Sequence, residues 1–144
     1  MTFSMKARIK WNEQVSFIAE SGSGHAILID GAPEHGGRNL GIRPMEAVLM
    51  GLGSCSAFDV VQILKKSRQL ISDCIVELDA QRADSVPAVF TQIHMTFVIR
   101  GRDLKPASIA RAVELSVDKF CSAAAMLRPG VDIQYDWRID DETG

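Results

Sequence analysis

Between Pro44 and about Arg68 the chain spells a helix with apolar residues on nearly every side. Met45, Val48, Leu49, Leu52, Val60, Ile63 and Leu64 all precede the charged close at Lys65-Lys66. Pro44 suits the first helical position, where a missing N–H costs nothing, and Lys65, Lys66 and Arg68 complement the dipole at the far end. The N-terminal two-thirds of such a helix is expected to be buried nearly all round, so the rest of the chain has to supply the surfaces that cover it. Gly51 and Gly53 each cost about 1 kcal/mol in helix propensity, which points to a close neighbour there, most simply another helix.

The covering surfaces are legible as alternations. Met5, Ala7, Ile9 and Trp11 alternate with Lys6, Arg8 and Lys10, the two-residue period of a half-buried strand. Val15, Phe17 and Ala19 continue it, and His25 to Asp30 reads as a third strand beyond the Ser-Gly-Ser-Gly turn. The glycine-rich stretch 31–43 is a loop long enough to carry function. After the helix, Cys74, Val76, Leu78 and Ala80 form one strand, and Val89, Thr91, Ile93, Met95, Phe97 and Ile99 form its hairpin partner. A second helix begins at Lys105-Pro106, with Ile109, Val113, Val117, Phe120 and Ala124 on one stripe. Val131, Ile133, Tyr135, Trp137 and Ile139 alternate into a closing strand. The order βββ-α-ββ-α-β, in a single domain over residues 1–144, predicts an α+β fold with a mainly antiparallel sheet and two buried helices.

Composition narrows the function classes. A net charge of −2 with no basic cluster gives no reason to expect nucleic acid as a partner. No apolar run is expected to cross a membrane and the first eight residues lack a signal-peptide layout, so a cytoplasmic location is expected. Three cysteines are an odd number and do not make a secreted disulfide framework, which leaves reactive thiols as the reading to pursue. Cys55 lies in Gly51-Leu-Gly-Ser-Cys-Ser on the first helix. Cys121, four residues after Val117, is expected on the buried stripe of the second. Cys74 faces inward on a plain strand and reads as packing. His94 reads as a partly exposed sheet histidine, and Asp59 as structural or as a partner for an arginine. With no Cys-x-x-Cys and no paired histidines, neither a metal nor any other cofactor is expected. Gly22-Ser-Gly24 is a turn rather than a dinucleotide fingerprint.

The element order, the segment Arg43-Pro-Met-Glu-Ala-Val-Leu-Met-Gly-Leu-Gly-Ser-Cys-Ser-Ala and the later Val117-Asp-Lys-Phe-Cys-Ser-Ala-Ala-Ala-Met-Leu together resemble the OsmC/Ohr family of osmotically induced and organic-hydroperoxide-resistance proteins. The resemblance implies an intertwined homodimer with its active sites at the subunit interface. It also implies a non-haem thiol peroxidase for organic hydroperoxides, an antioxidant of the oxidative stress response. By that analogy Cys55 attacks the peroxide, Cys121 resolves the sulfenic acid as a disulfide, and a dithiol reductant resets the pair. A loop arginine, braced by a glutamate after the proline, ionises the attacking thiol in the family. Here Arg38 is preferred over Arg43 for that part. The glutamate position is occupied by Met45, with Glu46 one residue later and about 100° further round the helix, which marks a divergent Pro-Met-Glu branch. The alternative reading is a non-peroxidatic stress protein that binds a small or lipid-like molecule in an apolar pocket at the dimer interface.

Overall fold

The computed structural model describes residues 4–142. Backbone contacts divide the chain into two compact units, one running through Val48 and the other starting at Leu49. In the first, β1 (Ala7–Trp11), β2 (Phe17–Ser21) and β3 (Ala26–Ile29) form an antiparallel meander, with Trp11 opposite Phe17 and Phe17 opposite Ile29. The first turn closes through Gln14, at a φ of 50°, and through Ser16, whose buried hydroxyl donates to the Glu13 carbonyl at 2.8 Å. The second closes through Gly24, whose φ of 91° is the left-handed conformation that glycine adopts without strain.

The loop after β3 is tied down at its base. The buried Asp30 carboxylate accepts backbone N–H bonds from Gly31, Arg38 and Leu40, which hold its pKa below the usual carboxylate value, the Leu40 bond foremost. A bridge between Ile29 and Ile42 closes the loop's two ends. Helix α1 (Pro44–Lys66) follows, with proline in its first turn as expected.

In the second unit β4 (Leu70–Arg82) and β5 (Phe90–Arg102) pair antiparallel over their full length, and β6 (Asp132–Asp141) adds to the other edge of β5 in parallel. The parallel partner follows from the crossover, α2 (Pro106–Leu115) and α3 (Ser122–Leu127), which carries the chain back to the end of the sheet where β5 began. Among the described residues there are thus two three-stranded sheets, with three of four pairings antiparallel. Central position explains burial: Ile93, Met95, Phe97 and Ile99 of β5 are inaccessible, while the inward residues of β4 and β6 are half-buried. Leu52, Val60 and Leu64 of α1 and Ile109, Ala112 and Val113 of α2 complete this core.

Helix α1 departs from the expectation of burial all round. Leu52, Gly53, Ser56, Val60 and Leu64 form one buried stripe, whereas Val48, Met50 and Phe58 are exposed, Phe58 by 66%. The apolar residues thus exceed what the chain itself can cover. At 23 residues α1 is also long and apolar enough to cross a bilayer by length and composition, which the sequence reading had not granted it. Gly53 does admit a close neighbour, though not a helix: a Cβ there would meet Leu78 Cδ1 of β4 at 2.7 Å. Gly51 faces open space.

Candidate active site

The second unit brings α1 together with the segment between α2 and α3. Regular α-helix stops at Leu115, and Ser116–Phe120 make a wider π turn closed by the Cys121 N–H on the Ser116 carbonyl at 2.7 Å. Such insertions recur at functional sites because they redirect the side chains that follow. Side chains take up the polar groups the turn frees. Arg128 donates to the Val117 carbonyl, and Asp118 accepts the Tyr135 hydroxyl at 2.7 Å. Burial, then this bond to a carboxylate, pushes the Tyr135 hydroxyl up to about 12.

Cys121 consequently does not lie inside a helix, as the stripe through Val117 had indicated. Its backbone is extended (φ −71°, ψ 110°), and it caps α3, its Sγ accepting the Ala124 N–H at 3.4 Å. The side chain is 1% exposed. A second donor reaches the same sulfur from α1, the Ser56 hydroxyl at 3.1 Å. Burial raises the Cys121 thiol above its ordinary value; the Ser56 and Ala124 donors offset part of this, and Cys55 raises it further by direct interaction. Cys55 therefore lies close enough to Cys121 to bear on its ionisation. Each is a free thiol, with Cys55 half-buried and Cys121 enclosed.

A polar bracket surrounds the pair. The hydroxyl of Ser116, fully buried, donates to the Ser56 carbonyl at 2.8 Å and lies 3.5 Å from Asp59 Oδ2. The partner of Asp59 is thus a serine rather than an arginine. Sequence reasoning passed over Ser56 and Ser116. The available signal was a small polar residue on an otherwise apolar stripe, next to a cysteine in one case and beside Val117 in the other.

Burial raises the Asp59 pKa, and Ser116 opposes it in part. The folded chain then keeps this proton to higher pH than the unfolded chain does. The group's contribution to stability is complete below the ordinary value of 3.8 and is lost as pH rises through the folded value. Asp59→Asn is accordingly expected to raise the urea midpoint at pH 7 and leave it unchanged near pH 3. The gain should be under about 1 kcal/mol, since water still screens the carboxyl.

Arg38, Arg43 and Glu46 lie in the first unit and make their bonds there, whereas Cys74 and His94 lie in the second. Arg38 pairs with Glu13 at 3.1 Å, and its own N–H is one of the three held by Asp30, so this part of the loop is anchored rather than free to swing. Glu46 accepts the Arg43 N–H at 2.8 Å, the backward half of a capping box at the start of α1. The Arg43 guanidinium donates to Gly41 O and Asn39 Oδ1. Cys74 is half-buried on β4, its thiol raised by burial and then by Asp73. His94 is partly exposed and pairs with Asp136 at 3.1 Å. Among the described residues no three His, Cys, Asp or Glu side chains are grouped to hold a metal.

Comparison with known proteins decides the family. Residues 36–136 match the family model described as OsmC-like protein. The chain belongs to the OsmC-like family. It is 48% identical over 138 residues to Protein YhfA of Escherichia coli strain K12, covering 94% of this chain and 98% of that one. A hypothetical protein of Aquifex aeolicus VF5 superposes with a TM-score of 0.87 at 27% identity, over 99% of this chain and 100% of that structure. An organic hydroperoxide resistance protein of Elizabethkingia anophelis superposes at 0.75 and 12% identity, covering 97% and 99%. This last likeness shows the OsmC-like fold alone.

Proposed function

We propose that this OsmC-like chain is a cytoplasmic thiol peroxidase that reduces organic hydroperoxides and works as an intertwined homodimer. The carrying observation is that α1 sets the half-buried Cys55 directly before Ser56, whose hydroxyl reaches the enclosed Cys121 sulfur at 3.1 Å, so the two thiols share one site. The more accessible Cys55 is assigned the attacking role and the enclosed Cys121 the resolving one. The Cys55 thiolate attacks the terminal oxygen of the hydroperoxide; the O–O bond breaks, Cys55 becomes a sulfenic acid, and the alkoxide takes a proton to leave as an alcohol. Cys121 sulfur then attacks Cys55 sulfur. An S–S bond forms, the S–O bond breaks, and hydroxide leaves with the Cys121 proton as water. A dithiol reductant returns two electrons and two protons to the disulfide. Glu46 is assigned as the residue that fixes the start of α1 behind the Arg43 backbone.

The dimer is supported by apolar surface left open in each unit. Ile9, Trp11 and Ile27 are 49% to 63% exposed on the β1–β3 sheet, and Met50 and Phe58 are exposed on α1. A monomer rarely leaves so much apolar surface in water, and a second copy of the chain is the occupant that the family architecture favours. A ligand-binding reading draws less support: the apolar groove along Ala7, Ile9, Ala19 and Ile27 holds about 250 Å³, and the larger hollow of about 430 Å³ beside Met5, Lys6 and Gly22 is partly polar and lies on the other unit from the thiols. Small-molecule sites generally enclose roughly 300–1,000 Å³.

One equivalent of cumene hydroperoxide is expected to consume two thiols per chain within seconds and to yield a Cys55–Cys121 disulfide in peptide mass spectrometry. Thiol loss no faster than that of free cysteine under the same conditions would sink the peroxidase reading.

A further inference from the structure

The geometry points to Ser56 as the residue that positions the Cys121 sulfur and stabilises negative charge on it during disulfide formation. This role deepens the peroxidase reading and rests on it. Ser56 is fully buried in α1 immediately after Cys55, and its hydroxyl donates across the core to Cys121 Sγ at 3.1 Å. A serine inside a helix ordinarily turns its hydroxyl back to a carbonyl one turn earlier, as Ser54 does to the Met50 carbonyl at 2.8 Å. Ser56 makes the long-range bond instead, and its own carbonyl is fixed by the buried Ser116 hydroxyl at 2.8 Å. The sulfur thus receives two donors, Ser56 O–H and Ala124 N–H.

That arrangement suits the resolving step. With two donors already directed at Cys121 sulfur, its own S–H can turn toward Cys55 as the two sulfurs approach for disulfide formation. The hydroxide expelled from the Cys55 sulfenic acid needs that proton to leave as water. As the proton departs, the Ser56 hydroxyl and the Ala124 amide face the developing thiolate in a dry site, where hydrogen bonds to charge are strongest. Ser116 acts one step further out by holding the Ser56 backbone in place.

The test uses the full chain with Ser56→Ala, a substitution that removes one oxygen and leaves helix propensity intact. In a Cys55→Ser, Cys74→Ala, Tyr135→Phe background Cys121 is the one thiol and no phenol remains, so its thiolate absorbance near 240 nm can be followed against pH without peroxide. Ser56→Ala is expected to shift that titration upward, by about one unit or more if the bond has the strength usual for a charged acceptor. In the chain retaining Cys55 and Cys121, sulfenic acid should form with cumene hydroperoxide at the wild-type rate. Its conversion to the disulfide should slow roughly tenfold or more, with a steeper rise at high pH. An unchanged Cys121 titration together with an unchanged rate of disulfide formation, in a variant with wild-type circular dichroism, overturns the role of Ser56 alone. Failure of the wild-type chain to form sulfenic acid or disulfide overturns the peroxidase reading itself.

Discussion

Cys55→Ser should reduce hydroperoxide consumption to the background of buffer, a loss of roughly a thousandfold or more, the scale on which removal of a sole nucleophile acts. A serine hydroxyl stays protonated at neutral pH and does not attack an O–O bond, while its size and the half-buried setting of Cys55 leave the fold undisturbed. Cys121→Ser should behave differently. It keeps the attacking thiol, so the first turnover proceeds and sulfenic acid accumulates, detectable with a dimedone probe. Without the second sulfur that acid advances to the irreversible sulfinic form under excess peroxide. The ordering of the two variants is the diagnostic part, because general destabilisation would lower both activities together. Equal loss of the first turnover in the two variants would contradict the division of labour drawn from their burial.

The strands around this pair were legible because burial in a sheet repeats every two residues. Ile93, Met95, Phe97 and Ile99 are buried and Gln92, His94 and Thr96 are not, and β6 keeps the same beat from Ile133 to Ile139. The environment of Cys121 was less legible. Val117 and Cys121 are four residues apart, a spacing that an α-helix and a π turn both place on the buried side, so the apolar stripe continues through a break in the helix without announcing it. The change shows only in what Cys121 bonds to, and those partners come from α1. Ser56 and Ser116 escaped notice for the same reason: each is a small polar residue whose partner lies some sixty positions away. Glu46 shows the opposite case. Its bond to Arg43 spans three residues, and the start of α1 carries that local signature in its own sequence.

Phe58→Glu should convert the proposed dimer to monomers at micromolar concentration. Phe58 is 66% exposed on a helix whose inward stripe is already filled by Leu52, Val60 and Leu64, so its ring has no cover within the chain. Burying a phenylalanine side chain stabilises by about 2 kcal/mol, and a two-fold interface contains it twice. Losing about 4 kcal/mol raises the dissociation constant roughly a thousandfold. A carboxylate in its place adds the cost of removing charge from water. Sedimentation velocity reads the result directly, with Gln81→Glu on exposed β4 as a control for the added charge. The apolar sheet β1–β3 supplies a second consequence. Its exposed Ile9, Trp11 and Ile27 lose their cover when the copies separate, so the monomeric variant should also bind the dye ANS and unfold at a lower urea concentration. A wild-type chain that sediments as a monomer with its thiol pair still active would remove the dimer from the mechanism. It would also leave Phe58 and the β1–β3 face without a partner of the same kind.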